Sequence, residues 1–457
     1  MADSFRDDLD HNRRPIHLKP SHTRVGGNKM PAGKVILPSF EFQSQAKDLP
    51  MKLVYSPSIR CFLVTTEPGV LGFLDIDSKS IVKSVLIERE LHYRGRLALS
   101  PDNDMIALAS ESEYHQRTGK ILPNRLCICK VSYGKLIFLE PHFSVSPTTA
   151  IIYFPDGSKI LVVNSHNESK EQSLGRMFEI PKKLSFQNER HAKHREGLEK
   201  HRNIKKLEFT DIPLSDHLVM HQNARGKFYE PLEDEDGCRN GFAVALSPDT
   251  TRILAGSGYG DLLIFDVNSL KVIQFMSMYA YYCEVVSCQY NPALAHHEFA
   301  TFDIRARLRV WKVEDLEDDK EQIQCLRRFQ FKEEPFGSDQ SLSYSPDGAL
   351  IALTSTSRER TTVICSHSGE ILYTLVHKVV AEEPRGHSPA CFNLFFGHLC
   401  QVAAVYQNNT LCCWKLPIVY SLKTLCLLML RSHVRYNDVD QLPLTQPLTL
   451  RLRYLYV

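Results

Sequence analysis

The sequence predicts an all-β chain in which seven units of four short strands close into a β-propeller, followed by a small α-helical unit at the C-terminus. Three observations predict it. A tight-turn sequence recurs at intervals the size of a propeller blade. Each copy separates two short apolar segments rich in strand formers. Beyond Pro417 that rhythm stops, and a Leu-rich segment with helical spacing takes over.

The recurring turn is clearest at Ser345-Pro346-Asp347-Gly348. Ser suits the first position of a type I turn, Pro pre-sets φ at the second, and Gly relaxes the fourth. Copies stand at Ser100-Pro101-Asp102, Phe154-Pro155-Asp156-Gly157 and Ser247-Pro248-Asp249, with weaker ones at Ser56-Pro57-Ser58 and Asn291-Pro292. The prolines at 57, 101, 155, 248, 292 and 346 are separated by 44, 54, 93, 44 and 54 residues. One gap is double the others, so it holds an insertion or a missed repeat. The segments 52–66, 96–110, 150–164, 242–256 and 341–355 each read strand, turn, strand, and a third strand-like segment follows at 71–76, 125–131, 261–267, 307–313 and 410–416. Units of about 40–45 residues with four strands are the signature of propeller blades.

Blades are therefore expected near 48–88, 92–141, 148–215, 240–278, 284–330, 338–376 and 389–417. The last supplies only three strands, and the orphaned segment Lys34–Phe42 (KVILPSFEF) is expected to complete it as its outer strand, which removes an open sheet edge. The doubled gap is read as a charged insertion at about 182–236. Its first part, 182–206, carries nine Lys/Arg against three Glu, and Glu230 to Asp236 holds five acids. The plain reading is a solvated loop and the sharper one a partner-binding loop. The competing reading puts an eighth blade inside 180–235. Residues 1–33, polar with Pro and Gly, are expected to be disordered.

Composition narrows the function classes. Of 457 residues, 43% are hydrophobic and 24% charged, which excludes wholesale disorder. Lys plus Arg is 55 against 53 for Asp plus Glu, a net charge of +2, so no global field favours nucleic acid or an anionic membrane. Thirteen Cys are too few for a disulfide scaffold, and the polar, acidic start is unlike a signal peptide; a cytoplasmic or nuclear home with free thiols is expected. The longest apolar run, 425–430, is far too short to span a bilayer.

No feature points to catalysis, a cofactor or a metal. Gly256-Ser257-Gly258-Tyr259-Gly260 looks like a phosphate loop, but a strand follows it, so no helix N-terminus could receive the phosphate. Cys127 and Cys129 alternate along a strand without two further ligands and read as core thiols. His191, His194 and His201 lie in the charged insertion and read as solvated. No hydrolase-elbow, zincin or Walker pattern occurs.

In its blade-sized repeats and Ser-Pro-Asp turns the chain resembles the WD-repeat family. The match is degenerate, with Leu74-Asp75, Phe265-Asp266, Trp311-Lys312 and Trp414-Lys415 in place of the Trp-Asp dipeptide. That resemblance covers 34–416 and implies a recognition platform. The tail, 417–457, resembles the SOCS box. Ser421, Leu422, Cys426 and Leu430 fit its Elongin-binding motif at every specified position, and Leu425 lies on the same helical stripe; Leu442-Pro443-Leu444, with Leu448 downstream, resembles the cullin-contacting part, where Thr445 replaces the final Pro. The resemblance implies a non-catalytic substrate-recognition subunit of a ubiquitin ligase acting in protein ubiquitination and intracellular signal transduction. Its implied partners are Elongin C with Elongin B, a Cullin-5-type cullin with its RING subunit, and an unnamed target held by the propeller. The competing classes are a WD-repeat scaffold without ubiquitination and, more weakly, an RNA-binding propeller using the basic insertion.

Overall fold

A computed structural model describes strands, tight turns and helices between residues 34 and 454. Residues 1–33, 44–52, 87–96, 141–149, 164–174, 181–207, 213–242, 278–284, 332–339, 377–392 and 455–457, with shorter loop stretches, fall outside the described residues.

Seven sheets form a propeller, most of them built from four consecutive strands. Blade one holds β3 (Leu53–Ser56), β4 (Cys61–Glu67), β5 (Val70–Asp75) and β6 (Ser80–Leu86). Blade two holds β7 (Leu97–Leu99), β8 (Met105–Ser110), β11 (Arg125–Lys130) and β12 (Lys135–Glu140), with a small hairpin of β9 (Tyr114–His115) and β10 (Lys120–Ile121) between its second and third strands. Blade three holds β13 (Ala150–Tyr153), β14 (Lys159–Val163), β15 (Gly175–Glu179) and β16 (Phe209–Ile212). Blade four holds β17 (Ala243–Leu246), β18 (Arg252–Gly256), β19 (Asp261–Asp266) and β20 (Val272–Ser277). Blade five holds β21 (Val285–Tyr290), β22 (Glu298–Asp303), β23 (Arg307–Leu316) and β24 (Lys320–Gln330). Blade six adds β25 (Gln340–Tyr344), β26 (Leu350–Ser355), β27 (Arg360–Cys365) and β28 (Ile371–Val376); blade seven has β29 (Asn393–Phe396), β30 (Gln401–Val405) and β31 (Thr410–Lys415).

Burial explains why these strands read as apolar runs rather than as alternating ones. A middle strand has a neighbouring blade on each face, so β19 is buried over its first five residues and β22 over all six. The outer strand β6 faces solvent and exposes Val82 and Leu86. Between blades the apolar faces merge. Leu161, Val163 and Ile212 of blade three pack with Leu263 and Phe265 of blade four, for example.

The Ser-Pro-Asp turns share one internal design. Ser100, Ser247 and Ser345 each donate their hydroxyl to the following Asp carboxylate at 2.6 Å, and each accepts the backbone N–H five residues on at 2.8–2.9 Å. The fourth residue is left-handed: Asn103 at φ 59°, Gly157 at 69°, Thr250 at 61° and Gly348 at 71°. Neighbouring turns touch. Ser56 donates to Asn103 at 2.6 Å, and His296 of blade five pairs with Asp249 of blade four. Burial opposes ionisation of Asp249, but hydrogen bonds from His296, Ser247 and the Thr251 N–H outweigh it and hold the carboxyl well below its usual range.

Closure differs from the expectation in one respect. The segment from Lys34 does not form one strand. β1 (Lys34–Ile36) pairs in parallel with β28 of blade six, and β2 (Phe40–Gln43) pairs antiparallel with β31 as the outer strand of blade seven. Pro38 divides the two, because it lacks an N–H and fixes φ within what would otherwise be a continuous strand. Only the second half therefore closes the ring. The charged insertion also differs. β16 lies inside the expected span of 182–236, so residues 180–208 separate the third and fourth strands of blade three, and 213–242 separate blades three and four. Among the described residues no eighth sheet of blade size is formed.

Candidate docking helix

After β31 the chain turns into α1 (Leu422–His433), a 3-10 turn (Tyr436–Gln441) and α2 (Gln446–Tyr454). Ser421 caps α1: its backbone is non-helical, and its hydroxyl accepts the Thr424 N–H at 3.2 Å. Such a cap satisfies one of the four unpaired donors at a helix start. Arg431 and His433 occupy the last turn, where positive charge complements the helix dipole. Val434 then turns extended and ends the helix.

The helix has three differently used faces. Thr424 and Leu427 are buried. Leu425 and Leu428 are half-buried against the seam of blades six and seven, beside Leu416, Cys400 and Tyr420. Leu422, Cys426 and Met429, spaced four and three residues apart, face outward together. Leu422 is 77% exposed and Met429 43%, and Cys426 is exposed too. Scattered exposed apolar residues are ordinary, but three of them in one stripe along a helix leave apolar area to be covered.

A second small core binds the tail to itself. Leu427, Val439 and Leu452 are nearly inaccessible, and Leu428, Leu430, Val434, Leu442 and Leu444 pack around them. Among the residues singled out from sequence, Leu422 and Cys426 are thus open, whereas Leu425 turns to the propeller and Leu430 to the tail core. Leu442 and Leu444 are half-buried in that core, Leu448 is half-buried and Pro443 is exposed. Thr445 stands at the start of α2, and its carbonyl accepts the N–H groups of Leu448 and Thr449 at 2.9 and 3.0 Å. Pro447 is the second helical residue, where no backbone donor is needed. Thr445, which stands where the resembled motif has Pro, thus begins a helix, a position at which Thr is favoured.

Other candidates resolve into structure. Cys127 and Cys129 are fully buried in the core between blades one and two. A strand, β19, does follow Gly256, while 257–260 and the insertion histidines lie outside the described residues. Among the described residues no group of three or more His, Cys, Asp or Glu is placed to hold a metal ion. No helix among them is long and apolar enough to cross a membrane.

The chain matches no family model and no curated protein. Among solved structures it is similar to the β-propeller domain of Cps50 (Swd1) from Myceliophteria thermophila, with a TM-score of 0.53 and 10% identity over 82% of this chain and 100% of that one. At that identity the likeness concerns the fold alone. The chain folds as a seven-bladed β-propeller followed by a short helical tail.

Proposed function

We propose that this protein is a substrate-recognition subunit of an Elongin–cullin–RING ubiquitin ligase, with the tail acting as a SOCS box. The observation that carries the reading is the exposed apolar stripe of Leu422, Cys426 and Met429 on a helix whose other leucines pack against the propeller and the tail core. Two positions fixed by the Elongin-binding motif, Leu422 and Cys426, lie on that stripe. Ser421, the motif's first position, has a physical role as the N-cap. A concave apolar pocket on Elongin C is the complementary surface. Burying Leu422 there would contribute about 1.5–3 kcal/mol.

In this reading the propeller holds a target and the tail brings the conjugating machinery. The chain contributes proximity: a target lysine held beside an activated thioester reacts at a raised effective concentration, with no catalytic group from this protein. The segment Leu442-Pro443-Leu444 would meet the cullin mainly through Pro443 and the exposed edges of the two leucines.

The test is affinity purification of the full-length chain from cells, followed by mass spectrometry. Elongins B and C with a cullin among the partners support the ligase reading. Propeller-dependent partners without Elongins would make the protein a WD-type scaffold instead.

A further inference from the structure

Blade seven is completed only by a strand from the other end of the described chain, since its outer strand β2 comes from 40–43 and β29–β31 from 393–415. Nothing covalent joins β2 to β31, so their four paired positions hold the ring shut. The segment that follows β31 passes directly over this blade. Leu416 donates its N–H to the Cys400 carbonyl at 3.1 Å, and Tyr420 is buried in the seam of blades six and seven. Its hydroxyl lies beside the Cys400 thiol, and burial pushes that thiol up to about 11. Leu425 and Leu428 of α1 pack against the same cluster, which contains Leu350 of blade six and Phe395, Val402 and Trp414 of blade seven.

The same cluster takes in Ile36 of β1, and Phe40 and Phe42 of β2 pack into the neighbouring cluster shared by blades seven and one.

We propose that α1 is a latch on the closing blade: its inner face ties blade seven to blade six, so that ring closure and seating of the helix form one cooperative unit. The outer stripe is untouched by this role, and the latch stands whether or not Elongin is the stripe's partner. Coupling of this kind is reciprocal. Loosening α1 opens the seam, and loosening β2 unseats α1.

Hydrogen exchange on the full-length protein reads this directly, with β22 and β23 of blade five as an internal reference. Leu425→Ser should speed exchange in β2 and β31 at least tenfold, and Leu428→Ala several-fold. Lys423→Ala, on an exposed position of the same helix, should change none of them. In the reverse direction Phe42→Ala should speed exchange in α1. Unchanged seam exchange in both Leu425→Ser and Leu428→Ala would overturn the proposal. So would equal acceleration of all seven blades, because that would be a general loss of stability.

Discussion

Blade five and blade seven use the same four-strand plan, but the chain writes blade five in one stretch and assembles blade seven from distant segments. Blade five has the long strands β23 and β24, of ten and eleven residues, and polar groups locked inside it. Arg309 donates to Asp303 at 2.7 Å with both side chains essentially inaccessible, and Arg307 adds a second bond to the same carboxylate at 2.9 Å. Burial raises the Asp303 pKa, and Arg309 is the chief opposing influence. Trp311 donates to Thr301 at 2.9 Å. Blade seven has an almost wholly apolar middle: Val402, Ala403, Ala404 and Val405 are inaccessible, and the equivalent Trp414 indole N–H finds no acceptor among the described residues. A blade written in one stretch can specify itself with directional polar contacts. A composite blade depends on apolar seams and on the segments that arrive from elsewhere.

The largest effect expected from this contrast is at the N-terminus. Deleting 1–33 should leave the thermal midpoint nearly unchanged, and deleting 1–38, which removes β1, should lower it modestly. Deleting 1–43 removes β2 and should lower it sharply or cause aggregation, because an unpaired edge of β31 is exposed. Equal midpoints for the second and third truncations would deny β2 its closing role.

Next is the buried ion pair. Arg309→Met strands the Asp303 carboxylate in the core of blade five and should cost about 3–5 kcal/mol in chemical denaturation. A cost below 1 kcal/mol would mean that Arg307 alone satisfies Asp303.

The two tryptophans sharpen the comparison further. Trp311→Phe loses its hydrogen bond and leaves the buried Thr301 hydroxyl unpaired, a penalty of about 1–3 kcal/mol beyond lost packing. Trp414→Phe removes an N–H without a described acceptor, so it should be the milder substitution in the same denaturation assay. The reverse order would contradict the contrast between the blades.

Smallest is the turn of blade four. Thr250 holds φ at 61°, a conformation that a β-branched residue adopts only with strain, whereas Gly157 and Gly348 fill the equivalent place in blades three and six. Thr250→Gly relieves about 1–2 kcal/mol of strain and loses about 0.5–1 kcal/mol in chain entropy. A net gain below about 1 kcal/mol is expected, read as a small rise in the thermal midpoint.

Much of this was legible in the sequence because the repeat is carried by short-range chemistry. Ser-Pro-Asp turns and buried middle strands declare themselves locally, so the blades fall close to where the turn spacing puts them. The left-handed fourth residue was half visible, through Gly157 and Gly348, and hidden at Asn103 and Thr250. The Pro38 break was visible as a residue, but its consequence required knowing that two blades lie within reach. The hairpin Tyr114–Ile121 and the strand Phe209–Ile212, inside a charged stretch, carry weak periodicity and were missed. In the tail, helical spacing marked Leu422, Leu425, Cys426, Met429 and Leu430 as one stripe. Which of them face outward depends on packing against the propeller and against Val439 and Leu452, contacts that no local pattern encodes.

The proposed docking of the outer stripe of α1 on Elongin C is tested by calorimetric titration of the purified full-length chain with the Elongin B–C pair. That docking predicts one-to-one binding by the wild type. For Leu422→Ala it predicts affinity lower by about tenfold to a thousandfold, with an unchanged thermal midpoint because that side chain is 77% exposed. No binding by the wild type, or equal binding by the variant, would contradict it.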